Sequence, residues 1–188
     1  MKDTWSRSGT FSAVTAKRNI ILTGFMGTGK SEVGKQLAAR LGRRFIDTDE
    51  MIEQEEGISI TRLFAERGEP YFRGREKQMI ARACQENDVV IATGGGAVVN
   101  EENAARMKAS GTVVCLTATP DIILRRVQRD ETRPLLRDRE PREKIRTLLE
   151  ARADAYARAD VTIDTSYMSV DEVVQAVLIA VGEDAERT

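Results

Sequence analysis

The sequence predicts an α/β protein: a five-stranded parallel sheet flanked by helices, with a glycine-rich loop after the first strand and a mobile lid. Three observations predict it. Five short apolar runs alternate with longer stretches whose apolar residues recur at helical spacing. The runs are rich in Val and Ile without polar alternation, as in strands buried on both faces. Finally, "GFMGTGKS" (24–31) stands between the first run and a helical pattern. Strands alternating with helices build right-handed βαβ units around a parallel sheet.

The strand candidates are "IILTG" (20–24), "RFIDTD" (44–49), "DVVIATG" (88–94), "GTVVCLTA" (111–118) and "DVTID" (160–164). Helix punctuation agrees with this division. Gly42 follows "LAARL" and Gly57 follows "DEMIEQEE", both as residues just past a helix end. "TPD" (119–121) offers a Thr cap, a first-position proline and an acid in the first turn. Pro141 opens a further helix, and "SVDE" (169–172) has capping-box spacing before the last one.

The chain has 188 residues, enough for one domain with a substantial core. That domain is expected over 19–182, with a lid at about 126–141. Residues 1–18, "MKDTWSRSGTFSAVTAKR", are expected to be a disordered tail, and 183–188 a C-terminal one. A net charge of −1 leaves no electrostatic footprint for nucleic acid. No apolar run approaches the roughly 20 residues of a membrane span. The first residues lack the apolar core of a secretory signal, so the expected location is cytoplasmic.

The chain contains no histidine, so general base chemistry falls to carboxylates or lysine. Cys84 and Cys115 each lie in an apolar stretch and read as small buried hydrophobes rather than a disulfide.

"GFMGTGKS" fits G-x-x-x-x-G-K-[ST] through Gly24, Gly29, Lys30 and Ser31. Glycines let backbone N–H groups curl around phosphate oxygens, and the following helix adds free N–H groups and its positive dipole end. Lys30 supplies a point charge toward the outer phosphates, and Ser31 Oγ suits Mg²⁺. The bound anion is therefore a nucleoside triphosphate. A guanine-reading Asn-Lys-x-Asp is absent, and the chain is short for a motor. A small-molecule kinase remains, and it requires a second site.

Four stretches supply candidates for that site. Asp47 and Asp49, in "DTD", end the second strand on one face in extended geometry, where Mg²⁺ or a substrate hydroxyl would relieve their repulsion. Alternatively, Asp49 caps the next helix. Arg73, Glu76 and Ile80 share a helical face; the Arg–Glu pair is either a surface ion pair or a guanidinium held to clamp a carboxylate. "TGGGAVV" (93–99) brings three consecutive glycines, whose entropic cost makes sense where backbone must approach a ligand. In "RRVQRDETRPLLRDREPR" (125–142), Arg133 and the apolar pair after Pro134 suit a lid that carries an arginine to the phosphates. After it, Ile145, Leu148, Leu149, Arg152 and Tyr156 form one stripe, so Arg152 faces inward and needs an anion.

Taken together, "GFMGTGKS", "FIDTD", "GEPYFRGRE", "IATGGGAVV", "TRPLL" and "EARADAYARAD" resemble the shikimate kinase family, in its order and near its spacing. The likeness runs from about residue 18 to 181. It implies the P-loop kinase fold and transfer of the γ-phosphate of ATP to the 3-hydroxyl of shikimate, with Mg²⁺ and a monomeric chain. Lys30, Asp49 and Arg133 would be catalytic. The nucleotide would be held by Gly27, Thr28, Gly29, Lys30, Ser31, Glu32, Arg126 and Arg133. Shikimate would meet Asp49, Phe64, Phe72, Arg73, Gly94, Gly95, Gly96 and Arg152, with Arg73 and Arg152 on its carboxylate. Ser31 would ligate Mg²⁺ with Asp47 nearby. Glu32 departs from the family, which usually has a small hydroxyl residue there. An acid suits the helix dipole but repels phosphates.

Overall fold

The computed structural model describes residues 19–128 and 140–183. The first apolar run becomes strand β1 (Asn19–Thr23), buried at every position. It is followed by helix α1 (Lys30–Leu41), strand β2 (Arg44–Asp47) and helix α2 (Thr48–Glu56). Helix α3 (Ile60–Ala83) breaks once, at Gly68, where φ is 78°. The break explains how Pro70 is tolerated: it stands at the start of the second segment, where its missing N–H has no helical partner to lose.

Strand β3 (Val89–Ala92) leads through a short 3₁₀ turn (Ala97–Val99) into α4 (Glu101–Ser110). Then come β4 (Gly111–Thr117), α5 (Pro120–Val127), α6 (Pro141–Ala151), α7 (Ala153–Tyr156), β5 (Val161–Asp164) and α8 (Val170–Val181).

The sheet is parallel throughout, in the order β2-β3-β1-β4-β5. β1 therefore lies in the middle, pairing with β3 through Ile21↔Ile91 and with β4 through Ile21↔Val113. Alternate residues serve opposite faces. Ile20, Leu22, Val90, Val114 and Leu116 pack with Val33 and Leu37 of α1 and with Val173, Val177 and Leu178 of α8. Ile21, Ile91, Val113 and Cys115 pack on the other face with Ile80, Met107, Ile123, Ile145 and Tyr156. A smaller cluster of Ile52, Leu63, Phe72 and Met79 joins α2 to α3. Each such side chain contributes about 1.5–3 kcal/mol by leaving water.

Most of the predicted punctuation is present. Gly42 and Gly57 close their helices with positive φ, and Ser169 and Glu172 form a complete capping box. Three details differ. The second strand stops at Asp47, because the Asp47 carboxylate accepts from the N–H groups of Asp49 and Glu50 and starts a helix there. Asp47 and Asp49 thus do not share a strand face, and the cap is Asp47, not Asp49. Thr119 occupies the cap position of α5 without a side-chain capping bond; its own N–H donates to Ser166 Oγ at 3.0 Å. Cys84 is only half-buried, while Cys115 is fully buried, and both are free thiols. The expected tails at 1–18 and 184–188, and residues 129–139 of the expected lid, lie outside the described residues. No helix among the described residues is long and apolar enough to cross a membrane.

Candidate active site

Strand ends at one edge of the sheet assemble the site. The carboxyl ends of β1, β2 and β3 lead directly into the loop 24–29, Asp47 and Gly94–Gly96. That is the edge where open parallel sheets bind ligands.

The loop after β1 is shaped by its own side chains. Thr28 is buried, and its hydroxyl donates back to the Phe25 carbonyl at 2.8 Å. Lys30 Nζ donates to the same carbonyl at 3.0 Å, so it stands over the loop. Gly29 is the N-cap of α1 with φ 95°, a conformation that a side chain would strain. Gly27 O accepts from Arg126 Nη1 at 3.3 Å. Arg126 belongs to α5 and also donates to Thr165 O at 2.7 Å and Thr165 Oγ1 at 3.0 Å. Thr165 Oγ1 in turn reaches Thr28 O at 3.3 Å. Arg126 is thus tied to the loop after β5 and to the phosphate loop together.

Beside this cradle, Ser31 Oγ donates to Asp47 Oδ2 at 2.7 Å, while Asp47 Oδ1 accepts from the Asp49 N–H at 3.0 Å. A hydroxyl and a carboxylate oxygen are hard donors of the kind Mg²⁺ takes. Among the described residues no group of three or more acidic, Cys or His side chains could hold a metal. A few oxygens beside a phosphate cradle fit Mg²⁺ bound mainly through phosphates and water. Glu32, in the first turn of α1, is exposed and accepts from Gln36 Nε2 at 3.1 Å.

Asp49 occupies the first turn of α2. Part of the residue reaches the surface, but its Oδ1 is buried and without a hydrogen-bond partner among the described residues. Burial, with Asp47 and Glu76 close by, pushes its pKa up to about 7 against the pull of Lys30. Glu76, in α3, is 1% exposed, and its Oε1 also lacks a partner among the described residues. Its other oxygen accepts from Arg73 Nη1 at 2.9 Å. Burial raises the Glu76 pKa, while the guanidiniums of Arg73 and Arg152 oppose the rise. Arg73 is further held by Glu69, which accepts from its Nε at 3.1 Å and its Nη2 at 3.0 Å. The Arg73–Glu76 pair is therefore no exposed surface bridge: one partner is buried, and the other is aimed by two carboxylates.

The triple glycine is where these groups meet. A β-carbon on Gly94 would stand 2.8 Å from both Asp49 Oδ1 and Glu76 Oε1; one on Gly96 would stand 2.9 Å from Arg73 Nη1. Bare backbone is the only chain that fits between them. Gly95 O accepts from Arg152 Nη1 at 3.3 Å and from Tyr156 Oη at 2.6 Å. Arg152 is half-exposed at the junction of α6 and α7, with its guanidinium 5.6 Å from the centre of the Phe25 ring.

Phe64 and Phe72 stack at a centroid distance of 4.5 Å; Phe72 is buried in the α2–α3 cluster and Phe64 borders it. Arg73 lies 5.2 Å from the Phe72 ring centre. The described residues thus bring Lys30, Ser31, Asp47, Asp49, Arg73, Glu76, Gly94–Gly96 and Arg152 to one end of the sheet. Arg133 lies outside the described residues.

Sequence reasoning missed three features. Tyr156 registered only as an apolar stripe position, and Thr165 registered as nothing. Glu76 registered as a partner for Arg73 but not as a second bare oxygen beside Gly94. A phenol and a carboxylate on the inward stripe of their helices were the available signals.

A family model described as shikimate kinase matches residues 26–181. The shikimate kinase of Thermoanaerobacter pseudethanolicus is 46% identical over 163 residues, which are 87% of this chain and 95% of that protein. That of Geobacter sulfurreducens is 45% identical over 183 residues, 97% of this chain and 99% of the other. Among solved structures, shikimate kinase from Acinetobacter baumannii in complex with shikimate superposes with a TM-score of 0.83 at 39% identity. The match covers 87% of this chain and 92% of that one.

Proposed function

The chain belongs to the shikimate kinase family, and from that membership we propose how its residues divide the work. The reaction transfers the γ-phosphate of ATP to the 3-hydroxyl of shikimate, yielding shikimate 3-phosphate and ADP, on the route to chorismate and the aromatic amino acids. One observation carries the assignment of roles: Asp49, Glu76 and Arg73 converge on the bare backbone of Gly94–Gly96 beside the phosphate cradle.

The loop Gly27–Ser31 wraps the phosphates, with Lys30 as its point charge, and Arg126 braces the loop from α5. Arg73 and Arg152 take the shikimate carboxylate; Glu76 and Glu69 keep Arg73 in place for a planar, two-pronged grip. The buried Asp49 oxygen accepts from the 3-hydroxyl and orients it toward the phosphates. As the hydroxyl oxygen bonds to the γ-phosphorus, the bond to the β-phosphate oxygen breaks and ADP leaves. The hydroxyl proton passes to Asp49, whose pKa of about 7 suits that acceptance. The backbone of Gly94–Gly96 touches the sugar-like ring, and Phe64 and Phe72 wall the pocket from α3. Ser31 and Asp47 would hold Mg²⁺, which supplies neutralisation of phosphate charge. Arg133 would supply the remaining positive charge, and Glu32 would stand near the nucleotide's phosphates. The enzyme works as a cytoplasmic monomer, one domain over 19–182.

The test is ADP release with Mg²⁺-ATP and, in parallel, shikimate, gluconate, nucleoside monophosphates or no acceptor. Turnover with shikimate and none with the others is expected. Turnover with another acceptor would retain the cradle and overturn the second site.

A further inference from the structure

We propose that Tyr156 is a positioning residue for the phosphoryl-transfer site: its hydroxyl fixes the triple-glycine turn against which the acceptor is read. The proposal rests on the reading of Gly94–Gly96 as the acceptor's contact surface.

A run of three glycines has little stiffness of its own, because each residue reaches conformations closed to other side chains. Its shape must come from outside the run. At the Gly94 end the neighbours are the unpartnered oxygens of Asp49 and Glu76, and at the Gly96 end the guanidinium of Arg73. These groups are the ones a ligand would engage; the lasting braces at the two ends are backbone bonds, from the Ala97 N–H to Gly94 O and from the Val99 N–H to Gly96 O, both at 3.1 Å. The centre differs. Gly95 O accepts from Tyr156 Oη at 2.6 Å, and Tyr156 is 7% exposed with its ring in the main core.

The second bond to Gly95 O, from Arg152, is longer at 3.3 Å and comes from a half-exposed side chain. Arg152 and Tyr156 are four residues apart, and the Tyr156 N–H donates to the Arg152 carbonyl at 3.0 Å, so both side chains rise from one helical turn. When Arg152 turns to an anion, Tyr156 still holds the carbonyl. The glycine turn also lies against the phosphate loop, since a β-carbon on Gly95 would stand 3.1 Å from the Met26 nitrogen. A shift at Gly95 would therefore displace the acceptor surface relative to the cradle.

Tyr156→Phe keeps the ring in the core and removes only the hydroxyl. The expected result is a loss of about five- to tenfold in kcat/KM for shikimate, the scale of one buried hydrogen bond, with the KM for ATP unchanged. Ile145→Val trims one methyl from the same core cluster and is the control for loosened packing. It should lower the thermal midpoint and leave shikimate kinetics as in wild type. The proposal is overturned if Tyr156→Phe changes kcat/KM for shikimate less than threefold, if the KM for ATP moves with it, or if Ile145→Val reproduces its kinetics. Arg73→Lys run alongside separates the two readings. If that variant leaves the shikimate KM unchanged, the acceptor surface itself is misassigned. If it raises KM and Tyr156→Phe is silent, only the positioning role fails.

Discussion

Asp49 Oδ1 and Glu76 Oε1 converge on the same point beside Gly94, 2.8 Å from where its β-carbon would be, and neither oxygen has a hydrogen-bond partner among the described residues. Two bare carboxylate oxygens in a buried place are costly. A ligand that brings donors would match them, and a polyhydroxylated acceptor brings several.

Asp49→Asn keeps the shape of that oxygen pair and removes the proton acceptor. Turnover should fall about 10²–10⁴-fold. Calorimetric titration with ATP should show wild-type affinity. Wild-type turnover would place Asp49 outside the reaction.

The same residue sets a pH dependence of stability. Its folded pKa of about 7 lies above the ordinary 3.8. Between those values the folded chain holds a proton that the unfolded chain has released. The contribution of Asp49 is thus most favourable at low pH and is lost as pH rises through 7. Thermal melts of the ligand-free protein should show Asp49→Asn gaining on wild type from pH 5 to pH 8. A constant gap would contradict the burial of the charged group.

Arg73→Lys retains the charge and loses the planar fork. With Glu69 and Glu76 both shaped around a guanidinium, the KM for shikimate should rise about tenfold, and the KM for ATP should hold. Steady-state kinetics with each substrate varied in turn reads both.

Gly94→Ala and Gly74→Ala make an opposed pair. The first drives a methyl onto Asp49 and Glu76 and should abolish shikimate-dependent turnover. The second fills open space on the exposed face of α3, where a β-carbon meets nothing within 4 Å. It should stabilise the fold by about 0.5–1 kcal/mol with activity retained. Denaturant melts and turnover assays of both variants check the contrast.

The three inner strands were legible because parallel strands buried on both faces write themselves as unbroken apolar runs, such as "NIILT" and "VVIA"; the outer strands β2 and β5 are only partly buried and mix polar residues with apolar ones. The phosphate loop was legible because backbone shape there demands particular residues at fixed spacing. What local pattern does not write is contact between distant segments. Nothing around Asp47 announces that its carboxylate ends a strand two residues early and accepts Ser31's hydroxyl as well. Tyr156 bonds to Gly95, and Arg126 to Gly27 and Thr165, across separations set only by the strand order. The triple glycine was readable as a close approach, but the oxygens on either side of it became visible only in three dimensions.

The strand order has a consequence for how the molecule is born. β1 is made first, yet its neighbours are β3 and β4, and it has no partner among the residues that immediately follow it. During synthesis, at about 5–20 residues per second, that apolar strand waits several seconds for Gly111–Thr117 to emerge. A ribosome-bound chain stopped before β4 therefore carries the whole Gly24–Ser31 loop on a strand that still lacks one of its two neighbours.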